Sequence, residues 1–165
     1  MSFESDNETL RNSLECAVFR HAREDEVSAL VSLLAKDDLG NLREDSSFPL
    51  NENYEFAFKA ILNDANNELI VLADGKKVLG MMQLTYIPSL TYTGSWRCQV
   101  EGVRVDKSMR GKGGGRKMLE FAISEARKRK CKMLQLTSDK LRQEAINFYQ
   151  RVGFVASHEG MKLML

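Results

Sequence analysis

The spacing of apolar positions changes several times along the chain, and each change marks an element. After a polar lead-in over residues 1–15, the short apolar stretch CAVFRHAR at 16–23 reads as a first strand. Over 24–38, Val27, Leu30, Val31 and Leu34 recur at the spacing of one helix face. Glu24, Asp25 and Glu26 stand at its front, where the helix dipole favours anions. Residues 39–50, with Gly40 and Pro49, read as a loop, and Phe56, Ile61 and Leu62 among Glu, Lys and Ala predict a helix over 52–63.

The period then shortens to that of strands. Segments 69–73 and 78–86 flank Asp74-Gly75, a hairpin-turn dipeptide, and are expected to pair antiparallel. A further strand fits 96–105. Over 113–130 the pattern is helical again, with Met118, Leu119, Ala122, Ile123 and Ala126 on one stripe and the cations 127–130 at the C-terminal end. Residues 133–137 (MLQLT) read as a buried strand, 143–151 as a helix stopped by Gly153, and 154–157 with 161–165 as a closing pair of strands. A strand, glycine loop, helix, strand unit implies local parallel pairing within this α/β order.

Composition narrows the class. With 165 residues, 43% apolar, 28% charged, 11 Gly and 2 Pro, the chain suits one packed domain and excludes collagen-like and disordered classes. The expected organisation is the lead-in at 1–15 and a single domain at 16–165. The net charge of +1 gives no global pull toward nucleic acid or an anionic membrane. Locally, residues 1–70 hold 6 Lys/Arg against 15 Asp/Glu, and 104–132 hold 11 against 3. Cys16, Cys98 and Cys131 are widely spaced, so neither a disulfide framework nor a zinc site is readable, and no metal is expected. An acidic N-terminus without a following apolar run, and no long apolar window, make a reducing cytoplasm the expected location and a membrane partner unexpected.

The chemistry concentrates in VEGVRVDKSMRGKGGGRKMLEFA. A strand ends at Val105, a basic glycine-rich loop follows, and a strong helix begins. Glycines allow positive φ and close backbone approach, so successive N–H groups and the helix N-terminus can converge on a phosphate, with Arg110, Lys112 and Arg116 adding charge. On composition alone the same segment also fits a solvated basic turn. The Walker A spacing fails for want of Gly-Lys-Ser/Thr, and GxGxxG fails because Arg116 stands where its third glycine belongs.

What stands here, Arg110-x-x-Gly113-x-Gly115, closely resembles the pyrophosphate loop of the GNAT superfamily of acyl-CoA-dependent N-acetyltransferases. Downstream, Ala145, Phe148, Tyr149, Arg151, Gly153 and Phe154 resemble the later A-x-x-[FL]-Y-x-[KR]-x-G-F motif of the same superfamily. The two motifs span roughly residues 95–165; the elements before them agree in order but carry no specific signature. The tail with Leu136, Thr137, Ser138, Asp139, Arg142, Ser157 and His158 is most similar to enzymes that acetylate small primary amines, aminoalkylphosphonates included. Arg142 departs from the superfamily pattern, where an Asn three residues before the Ala contacts the cofactor, so that contact is not carried over.

The resemblance implies a GNAT-like fold, a mixed and mostly antiparallel sheet of six to seven strands flanked by about four helices. It implies acetyl-CoA as cosubstrate, with Val103, Arg104 and Val105 offering backbone groups to the pantetheine arm. Arg110, Gly111, Lys112, Gly113, Gly114, Gly115 and Arg116 would hold the pyrophosphate, and a branched side chain at Gly113 or Gly115 would enter the space the phosphates need. It also implies Tyr149 as the acid that protonates the departing thiolate. A phenol suits that role chemically. The base is less determined: Glu101 fits by position, yet it reads equally as an exposed strand carboxylate. His21 and His158 are the other natural bases, one in the first expected strand and one near the C-terminal hairpin.

The expected function is therefore acetyl transfer from acetyl-CoA to a primary amine of a small molecule, by direct attack in a ternary complex. A CoA-binding module without chemistry, acetylation of a protein amine, and a basic-loop nucleic-acid binder are the alternatives. No aromatic residues interleave with the cations at 127–130, which weighs against nucleic acid as a partner. The acidic N-terminal half favours a cationic amine, whereas the subgroup resemblance admits one carrying a phosphonate. The oligomeric state is open, a homodimer included.

Overall fold

The computed structural model describes residues 16–36 and 40–165. The lead-in and the end of the first expected helix, with the start of the loop after it, lie outside the described residues. One five-stranded sheet, in the order β1-β2-β3-β4-β5, organises the rest. Its strands are β1 (Val18–His21), β2 (Asn67–Asp74), β3 (Lys77–Pro88), β4 (Trp96–Val105) and β5 (Met133–Leu136). The first four pair antiparallel and β4 pairs parallel with β5, as a crossover through a helix requires. At the β2–β3 turn, Asp74 faces Lys77 and Gly75 takes φ +56°, a conformation that favours glycine.

Four helices flank the sheet: α1 (Val27–Ala35), α2 (Glu52–Leu62), α3 (Gly114–Lys128) and α4 (Gln143–Val152). A fifth, irregular helical segment of four residues, Thr91–Gly94, joins β3 to β4. The apolar stripe of α3 buries Met118, Leu119, Ala122 and Ala126. It packs on Ile70, Leu72, Met82, Leu84, Cys98 and Val100 from the sheet. On the opposite face Leu69, Val71, Ala73 and Met81 meet Leu30 and Leu33 of α1 and Phe58 of α2. Each fully buried Leu or Met contributes about 1.5–3 kcal/mol relative to exposure, so these two layers fix the sheet between the helices. Residues 69–73 of β2 are buried without interruption because successive side chains enter opposite layers and both layers are covered.

The sheet has five strands among the described residues, not six to seven. The two expected closing strands, 154–157 and 161–165, are not in it. Gly153, at φ +115°, ends α4 in the left-handed conformation, and the Phe154 amide donates back to the Tyr149 carbonyl (3.0 Å). The Ser157 amide then donates to the Val155 carbonyl (3.0 Å), which bends 154–157. Residues 161–165 carry a strand-like pattern but pair with no strand among the described residues.

Candidate functional site

The site begins where β4 and β5 part. Parallel pairing runs only from Arg97 with Met133 to Val100 with Leu136. Beyond that, β4 continues to Val105 held by β3, and among the described residues its outer edge from residue 101 onward has no strand partner. An edge of this kind presents unpaired N–H and C=O groups to any extended chain that carries amides. Within it, Gln83 pairs with Glu101 but Met81 with Arg104, so Met82 spans both Gly102 and Val103. Gly102 takes φ +60°, which makes this a glycine-dependent bulge that re-aims the backbone at Val103.

The strand then hands over to the basic loop through Asp106. Its amide donates to the Leu79 carbonyl (2.8 Å), while its carboxylate accepts from the Ser108 hydroxyl (2.6 Å), the Ser108 amide (3.0 Å) and Lys36 Nζ (3.3 Å). The Ser108 hydroxyl chiefly, then the Ser108 amide and Lys36, hold the Asp106 carboxyl below the usual aspartate range against an opposing effect of burial. This anchor of the loop was missed in the sequence; Asp-x-Ser after a strand is its local signal.

The glycines in the loop do different jobs. Gly111 (φ +71°) and Gly113 (φ +87°) need their left-handed conformation, and a Cβ on either would meet nothing within 4 Å. Gly114 is packed: its Cβ would stand 3.0 Å from Val105 Cγ1. Gly115 is packed as well, 3.2 Å from the Phe148 ring, so its role is helix contact, and the expectation that a side chain there would enter phosphate space is corrected. The amides of Gly114, Gly115 and Arg116, in the first turn of α3, have no intrahelical acceptor and point with the positive helix end. Arg110 and Arg116 are exposed beside them and Lys112 is half-buried.

Tyr149 lies on α4, its ring 5.4 Å from that of Phe148 and 5.9 Å from that of Phe154. Burial raises its phenol above the ordinary tyrosine value, opposed by the positive charges of Arg142 and Arg104. Tyr149 stands one residue beyond Phe148, whose ring meets Gly115 at the start of α3. Ser138, two residues beyond the last β4–β5 pair, has a buried hydroxyl with no protein partner among the described residues. Glu101 is exposed, just before the bulge. His21 stands on the opposite edge of the sheet, and His158 is exposed, its Nδ1 2.8 Å from Ser157 Oγ. The structure thus places Val103, Arg104 and Val105 on the strand that leads into the loop, sets the helix of Tyr149 against α3 through Phe148 and Gly115, and leaves His21 on the far edge.

A polar row crosses the sheet on the face away from α3, and the sequence reading missed it. Asn67 Oδ1 accepts from Gln83 Nε2 (2.9 Å) and Thr85 Oγ1 (2.7 Å), and Gln135 Nε2 donates to Gln99 Oε1 (2.7 Å). Thr85, Gln99 and Gln135 stand side by side in register, and Glu101 follows Gln99 on the same face. Alternation with buried Leu84, Tyr86, Cys98 and Val100 makes these residues look like an ordinary solvated face in the sequence.

Acetyl-CoA fits these residues. An open strand edge, a glycine loop with free space at Gly111 and Gly113, unpaired first-turn amides and an orphaned Ser138 hydroxyl match a ligand with amides, a pyrophosphate and polar arms. No group of three or more His, Cys, Asp or Glu among the described residues could hold a metal ion, and no described helix is long and apolar enough to cross a membrane.

The model of the Acetyltransferase (GNAT) family matches residues 15–154. The aminoalkylphosphonate N-acetyltransferase of Salmonella typhimurium (strain LT2) is 28% identical over 134 residues, 81% of this chain and 80% of that protein. A solved structure named a transcriptional regulator from Bacillus halodurans C-125 is 46% identical, with a TM-score of 0.87 over 90% of this chain and 99% of the other. A predicted acetyltransferase with acetyl-CoA from Clostridium acetobutylicum, 18% identical, shares the fold at a TM-score of 0.70 over 90% of this chain and 96% of its own.

Proposed function

This chain belongs to the acetyltransferase (GNAT) family and is an acetyl-CoA-dependent N-acetyltransferase, and from that premise we propose that its acceptor is the primary amine of a small polar molecule. The observation that carries the reading is the open edge of β4 running into the glycine loop, with Tyr149 on the helix whose Phe148 packs against that loop's helix at Gly115. The acceptor is assigned to the sheet face beside that edge, where Gln83, Thr85, Gln99 and Gln135 carry amide and hydroxyl groups. The Salmonella relative's name points to the same class of acceptor.

Acetyl-CoA supplies the activated acetyl thioester. The backbone of Val103, Arg104 and Val105 holds the pantetheine arm by strand-like pairing, and the re-aimed amide at Val103 faces charge that develops on the acetyl oxygen. Gly113, Gly114, Gly115 and Arg116 donate amide hydrogens to the pyrophosphate, with Arg110, Gly111 and Lys112 completing the loop around it. Glu101, directly or through water, takes the proton that the ammonium must lose before its lone pair can attack. Tyr149 returns a proton to the departing sulfur. Its raised affinity for that proton keeps it in the acid form at neutral pH. Holding both reactants in one cleft replaces a bimolecular encounter by an oriented one.

The basic run after α3 does not support a nucleic-acid site, despite the name of the Bacillus relative. Lys128 pairs with Glu125 (2.6 Å), and Arg129 pairs with Glu68 (2.8 Å) and stacks over Tyr86 (4.5 Å to the ring centre). Arg129 ties the end of α3 to the sheet, and the Lys128 pair closes within the helix. The test of the acceptor class is thiol release from acetyl-CoA across a panel of small amines, aminoalkylphosphonates among them, with a lysine peptide as comparison. Turnover confined to small amines supports the reading. Turnover of the peptide alone would replace it with acetylation of a protein.

A further inference from the structure

Arg97 stands near the start of β4, a strand paired on both sides there, with Ile87 of β3 and Met133 of β5 beside it in register. A guanidinium in such a place is normally held against a carboxylate. Arg20 and Arg129 follow that rule, with Glu26 at 2.6 Å and Glu68 at 2.8 Å. Arg97 does not. It is half-buried, its Nε is closed off from solvent, and that N–H finds no hydrogen-bond partner among the described residues. Nor does a carboxylate among the described residues form an ion pair with it. The guanidinium keeps its charge at every working pH, so this donor calls for an acceptor that the sheet itself does not supply.

The face on which Arg97 lies is that of the polar row. Side chains alternate along β4, and Cys98 and Val100 pack toward α3, so Arg97, Gln99 and Glu101 share the opposite face. Along one strand they read cation, amide, carboxylate. Gln99 accepts from Gln135 through Oε1 (2.7 Å), which leaves its amide nitrogen to donate elsewhere. Arg97 and Gln99 therefore both bring donors. Glu101, beside the bulge at Gly102, brings only acceptors when ionised. Four residues of strand, about 13 Å between Cα atoms, separate the two charges, and the reach of both side chains leaves a gap that one small molecule bridges.

Resting on the reading of the acceptor as a small amine bound on this face, we propose that the acceptor carries an anionic group, phosphonate or carboxylate, at the end remote from its amine. Arg97 with Gln99 holds that group, and the ammonium faces Glu101. The planar fork of a guanidinium matches two oxygens of such an anion, and a charge-assisted bond on a half-buried face is stronger than one in open water. The order of charges also sets the direction of binding, since a reversed acceptor would place each charge against its like. Arg97 is thus a specificity-determining residue that stands away from the reacting atoms, and its effect belongs in KM more than in kcat.

Propylphosphonate carries the anion without an amine and so reads this subsite apart from the chemistry. Titrated calorimetrically into the CoA-saturated full chain, it should bind the parent and bind Arg97→Met at least tenfold more weakly, with Arg97→Lys in between. Without ligand, Arg97→Met should melt no lower than the parent, because it keeps an apolar stem and removes an unpartnered charge. In turnover with acetyl-CoA, the ratio of kcat/KM for aminopropylphosphonate or β-alanine to that for butylamine should fall at least tenfold in Arg97→Met, mainly through KM. The better of the two acids in the parent identifies the group as phosphonate or carboxylate. Absent propylphosphonate binding, or equal ratios in parent and variant, overturns the anion subsite even where small amines are acetylated. A variant that melts well below the parent makes Arg97 a structural residue and overturns it as well. Turnover of a lysine peptide alone removes it together with the small-amine reading.

Discussion

Gly115 and Phe148 pack closely: a Cβ on Gly115 would stand 3.2 Å from the Phe148 ring, so the ring would have to yield by a few tenths of an ångström, and this contact sets the loop-bearing helix α3 against the helix that carries Tyr149. Replacing Gly115 by Val should push Phe148, and Tyr149 with it, away from the cleft. The cost expected for overpacking is about 1–3 kcal/mol. Turnover should fall by more than the affinity for acetyl-CoA does, and Phe148→Leu in the same chain should recover part of the stability. Independent, additive effects of the two changes in thermal melts would disprove the contact.

Gly113 behaves differently because its constraint is backbone, not packing. At φ +87°, any β-carbon costs about 1–2 kcal/mol, and asparagine tolerates the region best. Gly113→Val is therefore expected to weaken acetyl-CoA binding at least tenfold, since its branched side chain enters otherwise open space, while Gly113→Asn keeps most of the stability. Calorimetric titration with CoA separates the two. Equal affinity in the valine variant would remove the loop from the binding site.

For Tyr149, substitution by Phe retains the ring packing against Phe148 and Phe154 and deletes the proton donor. Acetyl-CoA affinity should stay within a few-fold, and turnover should drop roughly ten- to a thousand-fold. Because burial raises the phenol's pKa, the parent should keep its acid form beyond the ordinary value near 10 and lose activity only above it. That alkaline limb should vanish in the variant. A pH profile identical in both enzymes would make Tyr149 a packing residue.

Asp106 links the loop to acid stability. Its carboxyl is held below its unfolded value, so the stabilisation is complete above about pH 4 and is lost as pH falls through the folded pKa. Asp106→Asn keeps the shape but loses the charge-assisted bonds to Ser108 and Lys36. A loss of about 1–2 kcal/mol at pH 7 is expected, shrinking toward zero in acid. A stability difference that does not change between pH 7 and pH 3 would contradict the assignment.

Much of the fold was legible because long periodic segments carry redundant signals. The stripe of Met118, Leu119, Ala122 and Ala126 and the turn at Asp74-Gly75 each name their element locally. Gly102 was a readable hint that passed unused, since a glycine inside a strand often marks a bulge. The count of strands could not be read, because a strand's pattern says nothing about whether a sheet edge receives it, and 161–165 pairs with no strand among the described residues. In the site, the loop and Tyr149 were visible as motifs. The separate duties of Gly113, Gly114 and Gly115 were not, because identical residues differ only through their neighbours: open space, Val105 and Phe148. The polar row of Gln83, Thr85, Gln99 and Gln135 was hidden for the same reason, since a strand's outward face looks alike whether it meets water or a substrate.

The most direct test is amide hydrogen exchange on the full chain with and without saturating CoA. Slowed exchange is expected at Val103 and Val105 on the open edge of β4, and at Gly113, Gly114, Gly115 and Arg116 around the α3 N-terminus. Exchange in β1 and β2, across the sheet, should not change. Thermal stabilisation by CoA without protection at those amides, or protection centred elsewhere, would show that the cosubstrate does not lie along β4 and the glycine loop.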